Sequence, residues 1–183
     1  MSKISLKLLT KNTVNNQFEC GVESINQYVK NAFYPLLLQQ AYTYTIESNN
    51  IVLGYVQIMF KTVKLTDFPE EISEYYDDTL IVDKIVTMHI KYLAIDTKYQ
   101  KKQIGTSALR SIIKIIEECA ELCPIKVITI DALVNLVPWY KKEGFRELIN
   151  NTIGQDGVTT AMYFKITKYE DELQEYLNNI IEL

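Results

Sequence analysis

Among its 183 residues the chain has one histidine, one tryptophan, three cysteines, four prolines and six glycines. A single histidine, His89, leaves no room for a histidine-based catalytic metal centre. The sequence has no H-E-x-x-H, no G-x-x-x-x-G-K-[ST] and no G-x-G-x-x-G. Three cysteines do not make a disulfide framework, and they fit a reducing compartment. Cys119 and Cys123 are four apart, a spacing at which two thiols of a helix could share a zinc ion. They also continue the apolar stripe of Leu109, Ile112 and Ile116, which reads as core packing; no metal site is expected. The longest apolar runs, residues 34–38 and 51–54, are far too short to cross a bilayer. Residues 1–9 carry two lysines but neither an apolar stretch nor a small-residue cleavage site. No internal repeat and no Gly/Ser- or Pro-rich linker divides the chain. The expectation is one soluble cytoplasmic domain with no membrane partner.

Charge narrows the partners. The formal net charge is −4, whereas nucleic-acid binders usually carry a basic excess, because neutralised phosphates supply much of their affinity. Residues 66–83 hold Asp67, Glu70, Glu71, Glu74, Asp77, Asp78 and Asp83 without one Lys or Arg. This segment reads either as a solvated insertion or as an acidic rim that focuses a cationic substrate.

The apolar period sorts the rest. Val22, Ile25, Tyr28, Val29, Ala32 and Phe33 recur at three- and four-residue spacing and predict an amphipathic helix, with Pro35 opening a second over residues 35–40. Residues 41–48 and 51–61 are rich in β-branched and aromatic side chains around Asn49-Asn50 and predict a hairpin. A strand over 84–95, a helix over 105–123, a short strand over 126–130 and a short helix over 138–143 stopped by Gly144 follow. Residues 145–150 and 159–166 predict a last antiparallel pair, and Tyr169, Leu173, Tyr176, Leu177, Ile180 and Ile181 predict a tail helix over 167–183. The fold class is mixed α/β or α+β. Within the strand at 84–95, strict alternation sets Thr87, His89, Lys91 and Leu93 on one face and Met88, Ile90 and Tyr92 on the other.

The stretch from Tyr92 to Leu109 holds the most chemistry. A strand ends at Ile95, a turn carries Lys98, Lys101 and Lys102, and a helix opens at Gly105-Thr106-Ser107. Unpaired N–H groups and the positive dipole end of such a helix can hold a pyrophosphate. Gly105 permits close backbone approach, and Thr106 or Ser107 adds a hydroxyl donor.

Gln100-Lys-Lys-Gln-Ile-Gly105 resembles the acetyl-CoA loop, [RQ]-x-x-G-x-[GA] after a "L-A-V" strand, of GNAT-superfamily N-acetyltransferases. Gln103 stands where that family usually has its first glycine. Downstream, Asp131-Ala-Leu-Val-Asn-Leu-Val-Pro-Trp-Tyr-Lys-Lys-Glu-Gly-Phe145 is similar to the family's "A…FYEKxGF" segment. Phe18-Glu-Cys-Gly-Val-Glu-Ser-Ile-Asn-Gln-Tyr-Val29 resembles the opening of a GNAT branch that includes toxins acetylating aminoacyl-tRNA. Phe68-Pro-Glu-Glu-Ile72 suits that branch too. Cys20 within this opening reads as a packed thiol.

The resemblance implies a GNAT fold: a splayed, mixed central sheet flanked by helices, here with an extra C-terminal helix. It implies acetyl-CoA as co-substrate, bound by Leu93, Ala94 and Ile95 in the splay, by Gln100, Lys101, Lys102, Gln103, Ile104, Gly105 and Thr106 in the loop, and by Asn135. Backbone N–H near Leu93 or Ala94 would stabilise the oxyanion. Tyr140 is the expected general acid, since a phenol is protonated at neutral pH and can donate to a thiolate. His89, six residues before the family's general-base position at Ile95, reads either as the base or as a histidine satisfied by a local hydrogen bond.

Transfer of acetyl from acetyl-CoA to the primary amine of a small molecule or peptide is the expected activity. Two rivals stand beside it. One is acetylation of aminoacyl-tRNA, disfavoured by the acidity and requiring a basic lip of Lys98, Lys101, Lys102, Lys141 and Lys142. The other is a non-catalytic coenzyme-binding module, favoured only by Gln103. A homodimer is left open.

Overall fold

The computed structural model describes residues 4–73, 83–150, 159–167 and 171–172. The body of the expected tail helix, and Glu74, Asp77 and Asp78, lie outside the described residues. Seven strands join in one sheet: β1 (Ser5–Leu8), β2 (Tyr42–Ser48), β3 (Ile51–Lys64), β4 (Lys84–Ile95), β5 (Val127–Leu133), β6 (Arg146–Glu147) and β7 (Thr159–Lys165). Among the described residues they are accompanied by α1 (Glu23–Lys30), α2 (Phe33–Leu37), α3 (Glu70–Ser73), α4 (Ile104–Cys119) and α5 (Val137–Lys142).

The sheet runs β1-β2-β3-β4-β5-β7-β6. Its pairs are antiparallel apart from β4 and β5, which run parallel and are joined through α4. A parallel pair needs such a crossover, because a tight turn only reverses direction. Leu109, Ile112, Ile113 and Ile116 of α4 pack on Val56, Ile58, Met88, Ile90, Ile128 and Ile130 of one sheet face. The other face carries two smaller cores. Phe18, Val29 and Ala32 cover Tyr55, Tyr92 and Ala94, while Phe68 and Ile72 cover Ile85, Val127 and Tyr163.

Two irregularities shape the centre. The parallel ladder contains only Met88↔Ile128, His89↔Thr129 and Ile90↔Ile130, although β4 continues to Ile95 and β5 to Leu133. Beyond Ile90 and Ile130 the strands part, β4 staying with β3 and β5 with β7. This is the expected splay.

The second irregularity corrects the strict alternation expected in β4. Gln57 faces Tyr92 and Ile58 faces Ile90, so Lys91 is an extra residue, a β-bulge. One inserted residue exchanges the faces of everything after it. Tyr92 therefore joins the α1 side and Leu93 packs toward α4, the reverse of the expected arrangement. His89 and Thr87 keep the face opposite α4.

Other bounds shift modestly. α2 begins at Phe33 rather than at Pro35, because a proline is tolerated anywhere in a first turn whose N–H groups have no helical partner. α4 ends at Cys119, leaving Cys123 exposed beyond it. β5 runs three residues past Ile130, and β6 covers only two of residues 145–150. β1, not expected from the sequence, edges the sheet by pairing with β2.

Candidate functional site

The turn before α4 meets the glycine question directly. Lys101 and Gln103 both hold positive φ, and Gln103 caps α4 in the left-handed conformation at φ 60° and ψ 9°. A side chain there costs roughly 1 kcal/mol more than glycine, yet the backbone makes a left-handed turn of the kind glycine favours. Ser107 N–H is the first to bond within the helix, to the Gln103 carbonyl. The N–H groups of Ile104, Gly105 and Thr106 thus open outward at the N-terminus of a 16-residue helix. A Cβ on Gly105 would meet only Ile95 and Trp139, each at 3.9 Å, so the protein itself leaves room there.

Side chains around this turn brace it. Gln100 donates to the carbonyls of Cys20 and Ile95, both at 2.9 Å, and Thr97 N–H donates to the Glu19 carbonyl at 2.8 Å. Glu19 accepts from Gly21 N–H and from Asn26, whose own oxygen accepts from Cys20 N–H. The Phe18–Val29 block therefore clamps the loop. Burial raises the Cys20 thiol above its ordinary range, in keeping with a packed rather than a nucleophilic cysteine. Lys102 folds back on the Lys98 carbonyl and the Tyr99 ring.

On the far side of the split, α5 places Tyr140. Trp139 donates to Thr106 Oγ1 at 3.2 Å, and Arg110 of α4 pairs with Glu143 at 2.8 Å. These two links seat α5 against the open end of α4. Tyr140 is buried between Trp139 and Phe145, with ring centroids 4.5 and 5.5 Å away, and burial pushes its phenol well above the ordinary range. Leu93, Ala94 and Ile95 pair with Val56, Tyr55 and Gly54 of β3, and their other edge faces the split. Asn135 sits exposed in the 3-10 turn between β5 and α5.

His89 is buried on the opposite sheet face from Tyr140. Its Nδ1 lies 3.1 Å from Thr129 Oγ1, which lies 3.0 Å from Thr87 Oγ1. Its Nε2 lies 3.6 Å from Asp131 Oδ2, and Asp131 also meets Lys61 at 3.1 Å. Burial, then Lys61, push its pKa down to about 4, although Asp131 opposes them; Lys91 adds a smaller push. The imidazole is therefore neutral at physiological pH.

A stability signature follows. The ring's pKa falls from 6.5 unfolded to about 4 folded. Below pH 6.5 the unfolded chain takes up a proton that the fold refuses, so stability drops as pH falls toward 4, by on the order of 3 kcal/mol in total. The lowered carboxylates of Glu19, Glu47 and Glu71 begin to add their own loss only about one pH unit above 4.5, as the unfolded chain starts to protonate. Thermal melts of the wild type should therefore already decline between about pH 6.5 and 5.5, and those of His89→Gln should stay flat over that window. Equal slopes would mean that another group titrates there.

A cleft of about 800 Å³ opens on this face, bordered by Lys61, Lys64, Lys84, Thr129, Asp131 and Asn150 among others. Lys64 and Lys84 stand directly opposite each other in the β3–β4 register. The acidic segment is less free than its composition implies. Glu71 is bound by Arg146 and Tyr163, and Asp67 accepts from Asn150. Of the expected basic lip, Lys141 is paired with Glu147. Among the described residues no group of three His, Cys, Asp or Glu could hold a metal ion, and no helix is long and apolar enough to cross a membrane.

Sequence reasoning missed Thr129 and Asp131. Alternation through β5 would have found them, since Val127, Thr129 and Asp131 share one face, but the strand was expected to stop at Ile130. The structure brings His89 to these two residues and sets Tyr140 beside the α4 N-terminus, on the two faces of the same sheet.

No curated protein sequence matches the chain significantly. Solved structures match its fold. A structure described as a bacterial toxin is 16% identical with a TM-score of 0.76, covering 95% of this chain and 97% of its own. AtaT complexed with acetyl-methionyl-tRNAfMet is 20% identical with a TM-score of 0.74, covering 93% and 99%. AtaTR bound with AcCoA is 19% identical with a TM-score of 0.71, covering 93% and 98%. Residues 78–166 match the family model for the acetyltransferase (GNAT) domain. The splayed parallel pair, the open α4 terminus and Tyr140 all lie inside that match, so residues 78–166 are similar to a GNAT acetyltransferase domain and the chain shares the fold of these solved structures.

Proposed function

We propose that this protein transfers the acetyl group of acetyl-CoA to the amino group of an aminoacyl-tRNA. The N–H groups of Ile104, Gly105 and Thr106 hold the pyrophosphate, with Gly105 leaving the backbone accessible. Leu93–Ile95 pair with the pantetheine arm through the edge that β5 has left. Near Leu93 and Ala94 a backbone N–H meets the carbonyl oxygen as it gains charge. Tyr140 protonates the departing thiolate. The left-handed Gln103 removes the one feature that favoured a non-catalytic module, since the turn forms without glycine.

The acceptor rests chiefly on one observation: the cleft beside the split is bordered by Lys61, Lys64 and Lys84. Lys61 is balanced by Asp131, but Lys64 and Lys84 form no ion pair among the described residues. Like charges directly opposite on adjacent strands are mutually destabilising, and a phosphate between or above them relieves that repulsion. The likeness to AtaT, whose described complex holds an acetylated aminoacyl-tRNA, adds support.

The test is Lys64→Ala/Lys84→Ala. Acetylation of charged tRNA should lose about tenfold or more in kcat/KM at moderate salt, and the slope of log affinity against log salt should shallow by roughly one for each phosphate that is no longer neutralised. A small amine, read by release of free thiol, should be acetylated as before. Unchanged tRNA kinetics, or activity confined to small cationic amines, would return the acceptor to the amine class that the acidic segment first suggested.

A further inference from the structure

The hydrogen bonds around His89 run in one direction. Thr87 Oγ1 donates to the Lys61 carbonyl at 3.0 Å, and a carbonyl oxygen has no proton to give back. The single Thr87 hydroxyl proton is thereby committed. Across 3.0 Å, Thr129 Oγ1 must then be the donor to Thr87. Its own proton spent, Thr129 is left as an acceptor toward His89 Nδ1 at 3.1 Å. Nδ1 therefore carries the ring proton, and the lone pair is on Nε2, the nitrogen turned toward Asp131.

We infer that Thr87 and Thr129 are positioning residues that lock His89 in the Nδ1–H tautomer, so that Nε2 and the Asp131 carboxylate together bind and deprotonate the acceptor amine. The inference rests on the acetyl-transfer reading but not on the identity of the acceptor. All the groups lie at the mouth of the split. His89 and Thr129 face each other in the second of the three paired positions, and Asp131 is the first β5 residue past the last pair. At 3.6 Å, Nε2 and Asp131 Oδ2 are too far apart for a good direct bond, and an ammonium can bridge them. Asp131 is about half exposed, whereas His89 is buried behind it, so the amine meets the carboxylate first.

The step balances. The ammonium gives one proton to Nε2, and its N–H electron pair stays on nitrogen. The Asp131 carboxylate stabilises the imidazolium so formed, while burial and the charges of Lys61 and Lys91 keep it short-lived. The free amine attacks the thioester carbonyl, and the C–S bond breaks with its pair on sulfur. Sulfur takes the Tyr140 proton, the amide nitrogen's surplus proton restores Tyr140 through solvent, and His89 returns its own to water.

His89 is the sole histidine, so histidine labelled with 15N in the ring reports this one side chain without assignment. The intact protein should show Nδ1 protonated and Nε2 unprotonated at neutral pH. Thr87→Val frees the Thr129 proton to point at Nδ1 and should move the ring toward the Nε2–H form, although residue 87 does not touch the ring. Thr129→Val should give a mixture, and Thr129→Ser should restore the wild-type spectrum. Turnover should fall at least about tenfold in both valine variants and recover in the serine variant, since a wrong tautomer disables an imidazole base. The KM for acetyl-CoA should not move. An Nε2–H ring in the wild type would overturn the inference, as would unaltered turnover in both valine variants. A wild-type protein that acetylates no amine and no charged tRNA would overturn the proton-accepting role and the parent reading together, while the tautomer is judged by the spectrum alone.

Discussion

Replacing Tyr140 with Phe is expected to lower turnover by roughly 10²–10⁴-fold, the usual worth of a positioned general acid. The variant is clean for a structural reason. Tyr140 contributes its ring to the packing of Trp139 and Phe145, and its hydroxyl makes no hydrogen bond among the described residues. Phe keeps the ring and orphans no partner, so the melting temperature should stay within a degree or two. Binding of acetyl-CoA, followed by calorimetry, should hold as well, because the proposed pyrophosphate contacts lie on the α4 turn. The pH profile gives a second check. Burial raises the phenol above its ordinary range, so the acid stays protonated through neutral and moderately alkaline pH. Wild-type turnover should consequently show no alkaline decline attributable to this group. Near-normal turnover in the variant would remove Tyr140 from proton transfer and leave the thiolate to be protonated by solvent.

The parts of this site that sequence made legible are those with local causes. β4 occupies residues 84–95 as expected, because its ends are marked by a charged segment before and by Asp96 and the lysine-bearing turn after. α4 declares itself through its three- and four-residue apolar spacing, and α5 through Pro138 in its first turn and Gly144, at φ +93°, just past its end. What escaped has non-local causes. The bulge at Lys91 depends on how β3 and β4 settle against each other. Tyr92-Leu-Ala-Ile95 is apolar at every position, so no polar residue marks which face is which. Asp131 falls just outside the expected strand, because the apolar run that predicts it ends at Ile130. It continues β5 because β7 pairs with it through Ala161. Glu71 and Arg146 are 75 residues apart, and only the fold shows that the one neutralises the other. Charge counted along the chain thus leaves open whether the acidic segment is a solvated insertion or a rim, while the folded cleft is bordered by Lys61, Lys64 and Lys84 together with Asp67 and Asp131.

Gly54→Ala is expected to be the most damaging conservative change to the frame of the site. Gly54 sits in β3 between Ile46 of β2 and Ile95 of β4. A β-carbon there would stand 2.2 Å from the Ala94 carbonyl oxygen and 2.9 Å from the Ile95 Cδ1 atom. The second contact can relax by rotating a side chain, but the first is backbone, so β3 and β4 must separate. Overpacking of this kind costs about 1–3 kcal/mol, and more when backbone has to move. In a chain of this size that corresponds to a fall of roughly 2–12 °C in melting temperature. The strand displaced is the one whose free edge, Leu93–Ile95, faces the split, so the damage reaches binding as well as folding. Acetyl-CoA affinity should weaken even where the variant is fully folded, whereas Gly105→Ala, whose β-carbon meets nothing closer than 3.9 Å, should leave stability nearly unchanged. Melting curves and coenzyme titrations of the two alanine variants side by side separate the cases. A Gly54→Ala protein that melts and binds like the wild type would show that β4 yields at Ala94 without strain, and that the edge of Leu93–Ile95 is not held in place by its approach to Gly54.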